Sequence, residues 1–138
     1  MMDPAAETTI RAAVLDRPGV PTRIDTLTLA PPGPGEVRVR MAASGVCHSD
    51  LHVRDGEWER PGPIVIGHEG AGIVEAIGPQ VISARIGDRV ILNLHAACGR
   101  CYNCLRMRSD KCRAGAASNA PIADANGMPV FGRTGAMS

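Results

Sequence analysis

Four of the five cysteines, Cys98, Cys101, Cys104 and Cys112, crowd into the run CGRCYNCLRMRSDKC, while Cys47 stands far upstream beside His48 and ahead of Gly67-His68-Glu69. Four clustered thiolates can close a tetrahedral shell around zinc. One thiolate joined by a distant imidazole leaves coordination positions for water or a substrate oxygen. The pattern therefore predicts a closed structural zinc site and part of an open site suited to catalysis.

In the closed site three ligands come from one tight loop, eased by Gly99, and the fourth returns after a short excursion. An iron-sulfur cluster is the chemical rival, but the ferredoxin run needs a closer fourth cysteine followed by proline, and here Arg113 follows Cys112. Disulfides or packing cysteines are the remaining alternatives, and an odd cysteine count argues against a complete disulfide framework. Arg100, Arg106, Arg108, Lys111 and Arg113 surround the thiolates. A nucleic-acid-binding zinc module would use such cations, but they also offset the negative charge of four thiolates, and stacking aromatics are few.

At the open site, Cys47 and His68 offer a thiolate and a neutral imidazole as zinc ligands. Glu69 follows His68 directly. Neighbouring side chains of an extended chain point to opposite sides, which places Glu69 behind the metal or makes it an exchangeable ligand. Asp50 is a candidate partner for the second ring N–H of His68, or a helix or turn cap. Ser49 and His52 could relay a proton to solvent, since a hydroxyl both donates and accepts and imidazole titrates near neutrality.

The elements that must position these groups are short. With 138 residues, 44% of them hydrophobic, the chain suits one domain with its own core. Only Trp58, Tyr102 and Phe131 are aromatic while Gly (16) and Pro (11) are abundant, so Val, Ile, Leu and Ala must fill a turn-rich, strand-dominated fold. A net charge of +1 gives no global reason to expect a nucleic acid or an anionic membrane. Neither a signal-peptide core nor an apolar run of membrane-spanning length is visible, which predicts a cytoplasmic protein.

TIRAAVLD and TRIDTLTL read as strands around the turn RPGVP, and EVRVRMAA as a third, together a β-meander. GVCHSDLHVRDGEW fits either a short helix or an irregular crossing. Two β-branched runs, Ile64 to Ile66 and Ile73 to Ile77, and then GDRVILNL supply further strands. From His95 onward regularity gives way to the cysteine lobe and a Gly/Ala/Asn/Pro-rich tail.

Gly45-Val46-Cys47-His48-Ser49-Asp50-Leu51-His52, Gly67-His68-Glu69-Gly70-Ala71-Gly72 through Gly78, Gly87-Asp88-Arg89-Val90 and the cysteine lobe occur in one order over nearly the whole chain. This constellation resembles the zinc-dependent medium-chain alcohol dehydrogenases. The resemblance implies a mainly β, GroES-like, partly open barrel with short helices over residues 1–138, containing a zinc lobe over 95–115. In the family this domain is joined to a Rossmann domain that binds NAD or NADP, and the enzymes interconvert alcohols and aldehydes by hydride transfer, commonly as homo-oligomers. By position, Cys47 and His68 resemble two ligands of the catalytic zinc, Glu69 the nearby carboxylate and Asp50 the partner of the zinc-bound histidine. Ser49 and His52 resemble the proton relay, His48 the group near the cofactor pyrophosphate, and Trp58 an aromatic wall of the substrate pocket.

The chain also departs from the family pattern. No G-x-G-x-x-G opens a strand-to-helix phosphate turn, and after Cys112 no cysteine remains to complete the catalytic zinc shell. The run FGRTGAMS resembles the stretch before the family's next strand, so the expectation is a C-terminally truncated dehydrogenase that is inactive alone. A standalone GroES-like zinc scaffold is the alternative from another class. Met107 stands where the family usually has glycine, which would alter the turn without removing a ligand.

Overall fold

A computed structural model describes residues 6–60, 62–93 and 97–112, together with the backbone of strands at 121–123, 129–131 and 136–137. The described residues are mainly strand: β1 (Thr8–Leu15), β2 (Arg23–Leu29), β3 (Val37–Gly45), β4 (Ile64–Val65), β5 (Glu69–Ile77), β6 (Arg89–Asn93), β7 (Pro121–Ala123), β8 (Pro129–Phe131) and β9 (Ala136–Met137). Among the described residues one α-helix, α1 (His48–Asp55), follows β3. The strands form two open sheets rather than a closed barrel, in the orders β2-β1-β4-β8-β7 and β3-β5-β6-β9.

The hairpin β1–β2 pairs antiparallel from Thr8↔Leu29 to Val14↔Arg23, as its alternating pattern predicts. Its inner face carries the core: Val14 and Leu27 are buried, and Ile10, Ala12 and Val65 pack on them. The expected meander ends there. β3 leaves for the second sheet, where it pairs antiparallel with β5 from Val37↔Ile77 to Gly45↔Glu69.

Strand β5 alternates strictly, with Gly70, Gly72, Val74 and Ala76 on its buried face. Those residues are small because β3 comes very close: a Cβ on Gly72 would sit 2.4 Å from the Arg40 carbonyl oxygen. The pair is bulged at Arg38/Val39 and Met41/Ala43. Arg38 is buried at the bulge, where its Nε lies 2.9 Å from Glu75 Oε1 without hydrogen-bond alignment and an Nη donates to the Ala6 carbonyl.

The cysteine lobe is built of two 3₁₀ turns, Cys104–Arg106 and Ser109–Lys111. The lobe flanks at 95–96 and 113–115, Arg113 included, and most of FGRTGAMS lie outside the described residues. Beyond the lobe, β7, β8 and β9 occupy a stretch that the sequence reads as irregular. Strands of two or three residues are too short to show a period, and β8 and β9 also pair with β4 and β6, which are distant in sequence. Among the described residues no helix is long and apolar enough to cross a membrane.

Candidate metal centres

The register of β3 on β5 assembles the open site. Gly45, the last residue of β3, faces Glu69, the first of β5, so Cys47 two residues beyond one end meets His68 one residue before the other. One ligand atom each from Cys47, His68 and Glu69 lie within 4.8 Å of one another. Cys47 and His68 are half-buried and Glu69 is exposed, which gives a site with a protein wall and an open side.

The segment that was ambiguous in sequence is helical, and its N-terminus belongs to this site. Cys47 is the N-cap, in an extended conformation (φ −95°, ψ 155°), and Gly56 closes the helix with its N–H on the Val53 carbonyl. Asp50, buried in the first turn, serves both roles expected of it. Its Oδ2 accepts the Cys47 N–H at 3.0 Å, a helix cap. Its Oδ1 lies 3.2 Å from His68 Nδ1 and accepts the Gly67 N–H at 3.3 Å. With Nδ1–H donated to Asp50, His68 presents the lone pair of Nε2, the form a metal requires. Ser49 Oγ lies 3.2 Å from that Nε2.

Glu69 shares the pocket with His68 although the two are adjacent. Strand alternation does not separate them here, because His68 precedes β5 and follows Gly67, whose φ of 105° turns the backbone out of strand geometry. The Glu69 carboxylate also occupies the space that a side chain at position 45 would take: a Cβ there would lie 2.6 Å from Oε2.

The proposed relay is only partly joined. His52 donates from Nδ1 to Glu57 Oε2 at 2.5 Å, and among the described residues no hydrogen bond links it to Ser49. Its ring stacks on Trp58 at 5.0 Å between centroids, and the ring of exposed His48 lies 4.6 Å from it. Trp58, 48% exposed, packs on His52. Glu57 has no sequence signal, since it lies five residues from His52 and beyond the helix end. Asn103 likewise carries no sequence signal; its Nδ2 donates to the Lys111 carbonyl at 2.7 Å and ties the cysteine lobe shut.

In the lobe the ligand atoms of Cys98, Cys101, Cys104 and Cys112 lie within 4.8 Å of one another, and none of the five cysteines is in a disulfide. Zinc with bonds of about 2.3 Å to sulfur places tetrahedral sulfurs about 3.8 Å apart. Cys101 and Cys112 Sγ are 3.9 Å apart, so the residues fit that ion. The Cys112 sulfur also accepts the Cys98 N–H at 3.3 Å. The backbone N–H of Cys104 lowers the Cys101 pKa, whereas desolvation, reinforced by the Cys101 side chain, pushes the Cys104 thiol up to about 11.

Gly99 adopts a φ of 69°, as its place in the loop predicts. Met107 also takes left-handed geometry (φ 58°), so the turn that glycine would make is kept, with strain. Of the lobe's cations, Arg106 covers the Tyr102 ring at 4.2 Å and Arg108 faces Asp110 at 3.4 Å.

Comparison with known proteins agrees with this geometry. Residues 33–138 match the alcohol dehydrogenase GroES-like domain. Over 103 residues, 74% of this chain and 27% of the relative, it is 44% identical to alcohol dehydrogenase 6 of Rattus norvegicus. Over 106 residues, 77% of this chain and 29% of the relative, it is 44% identical to the NDMA-dependent alcohol dehydrogenase of Amycolatopsis methanolica. The chain thus spans less than a third of the length of these curated relatives. The crystal structure of an alcohol dehydrogenase zinc-binding domain protein from Burkholderia ambifaria superposes with a TM-score of 0.83 at 40% identity, covering 91% of this chain and 36% of that one. The chain therefore belongs to the alcohol dehydrogenase family, of which it carries the GroES-like domain.

Proposed function

We propose that the pocket of Cys47, His68 and Glu69 is the catalytic zinc half-site of an NAD- or NADP-dependent, medium-chain alcohol dehydrogenase, and that the cysteine lobe holds a structural zinc. The observation that carries this reading is the convergence of three donor atoms within 4.8 Å, with His68 oriented by Asp50. Residues 1–138 form one GroES-like unit on this reading, with the zinc lobe over 95–115. The whole enzyme would interconvert an alcohol and an aldehyde as a homo-oligomer in the cytoplasm.

When bound, zinc supplies Lewis acidity toward an alcohol hydroxyl and nicotinamide accepts the hydride. The chain's own residues do the positioning. Cys47 and His68 Nε2 face one point, with Asp50 fixing the imidazole tautomer. Ser49 Oγ stands beside Nε2, where it can take the hydroxyl proton and hold it. His52, anchored by Glu57, passes that proton toward solvent once Ser49 reaches it. Exposed His48 offers a ring N–H to the cofactor pyrophosphate, and Trp58 walls the substrate side.

Cobalt substitution tests the site. The second cobalt equivalent should give a thiolate charge-transfer band that Cys47→Ser removes, while the band of the lobe stays. A band unaffected by Cys47→Ser refutes the assignment. With only two protein thiolate or imidazole ligands and no G-x-G-x-x-G turn in its 138 residues, the chain by itself should bind one zinc tightly and a second weakly. It should reduce no NAD with alcohols; measurable alcohol-dependent reduction, or two tightly held zinc ions, contradicts this.

A further inference from the structure

A second cluster of donors lies on α1 outside the pocket. His48 and His52 are four residues apart, so they share one face of the helix a turn apart, and their ring centroids are 4.6 Å apart with a 34° tilt. Asp50, between them in sequence, points to the opposite face and into the open site. His52 donates Nδ1–H to Glu57, which fixes the tautomer that leaves Nε2 with a free lone pair. His48 is exposed, and among the described residues no hydrogen bond occupies its ring.

We propose that His48 and His52, with Glu57 orienting His52, form a binding site for a divalent transition-metal ion of the imidazole-preferring class, such as Ni2+ or Cu2+. Two neutral imidazoles one helical turn apart can reach a common ion by rotating about their side-chain bonds, and water fills the remaining positions. Imidazole ligands suit both ions, and in the general order of divalent affinities Cu2+ binds more tightly than zinc. The site is separate from Cys47 and His68 in its ligands and its face. On the function proposed above, an ion there would also withdraw both imidazoles from the relay and the cofactor edge.

Trp58 is the chain's one tryptophan, and it stacks on His52 at 5.0 Å, so its fluorescence reports directly on this site. The test is a titration of the zinc-loaded chain with Ni2+, followed by Trp58 emission and by absorbance in the nickel-thiolate region. The expected result is saturable quenching without a thiolate band. Loss of one imidazole removes the chelate, so His48→Asn should raise the half-saturating Ni2+ concentration by about tenfold or more. Glu57→Gln, at a second exposed position, should raise it less, and Cys47→Ser should leave it unchanged. Absence of quenching, quenching unchanged in His48→Asn, quenching lost in Cys47→Ser, or quenching accompanied by a thiolate band would each overturn the proposal. Far-UV circular dichroism of each variant separates loss of the site from loss of the fold.

Discussion

Asp50 is the residue whose removal should be felt most widely. Its carboxylate accepts the Cys47 N–H at 3.0 Å and the Gly67 N–H at 3.3 Å, and lies 3.2 Å from His68 Nδ1, while the residue is only 8% exposed. Asp50→Ala strands three N–H donors, each worth about 1–3 kcal/mol when left buried without an acceptor. Gly67 is exposed and Cys47 half-buried, so water reaches part of the gap, and a total near 3 kcal/mol is expected. For a chain of this size that is a fall in Tm of roughly 10 °C. Asp50→Asn keeps the volume and one acceptor; its amide can serve Gly67 and His68 while facing the Cys47 N–H with a donor, for a loss of about 1–2 kcal/mol. Because Asp50 also fixes the His68 tautomer, either substitution should weaken metal binding at the open site about 10–100-fold. Thermal unfolding with one zinc equivalent loaded, and cobalt titration of the second site, measure the two effects separately. An Asp50→Ala chain as stable as its parent, or with unaltered cobalt affinity, would refute the assignment of Asp50 as both helix cap and imidazole anchor.

Met107→Gly should stabilise the lobe by about 0.5–1 kcal/mol, since Met107 is 91% exposed and holds a left-handed backbone glycine adopts freely; denaturant unfolding showing destabilisation would count against this. Glu75→Ala should cost about 2–3 kcal/mol, because it leaves Arg38 buried without its partner, discounted for the partial exposure of Glu75; Arg38→Met should cost less, and the reverse order in chemical denaturation would be inconsistent with a buried pair. Zinc binding to the lobe should strengthen with pH. The Cys104 thiol, pushed up to about 11, is protonated at neutrality and must lose its proton on binding, so affinity should rise about tenfold per pH unit for each thiol proton displaced. Competition with a chromophoric chelator between pH 6 and 8 checks this, and a flat profile contradicts it.

Much of the site was legible in the chain because its ligands lie in short local motifs. The cysteine lobe is nearly self-contained: three of its thiols fall within seven residues, and chain connectivity alone brings them together. The hairpin β1–β2 was legible because a period of two survives in both strands. The third strand was misplaced because alternation reports which residues share a face and says nothing of which strand lies alongside. The small buried face of β5 selected the partner, through an approach that only glycine at position 72 permits. Likewise alternation would put Glu69 and His68 on opposite sides only in a continuous strand, and the φ of Gly67 breaks the strand there.

What the sequence determined by itself was the inventory and its local grouping: which donors exist, which four can close on one ion, and which elements have a readable period. The tertiary structure decided how distant segments meet. Cys47 and His68 are joined through the pairing of Gly45 with Glu69 and through one carboxylate that caps a helix and orients an imidazole. Side-chain spacing along the chain carries the first kind of information because covalent geometry bounds it; strand register and shared hydrogen bonds depend on packing between segments, so they exist only once the chain has folded.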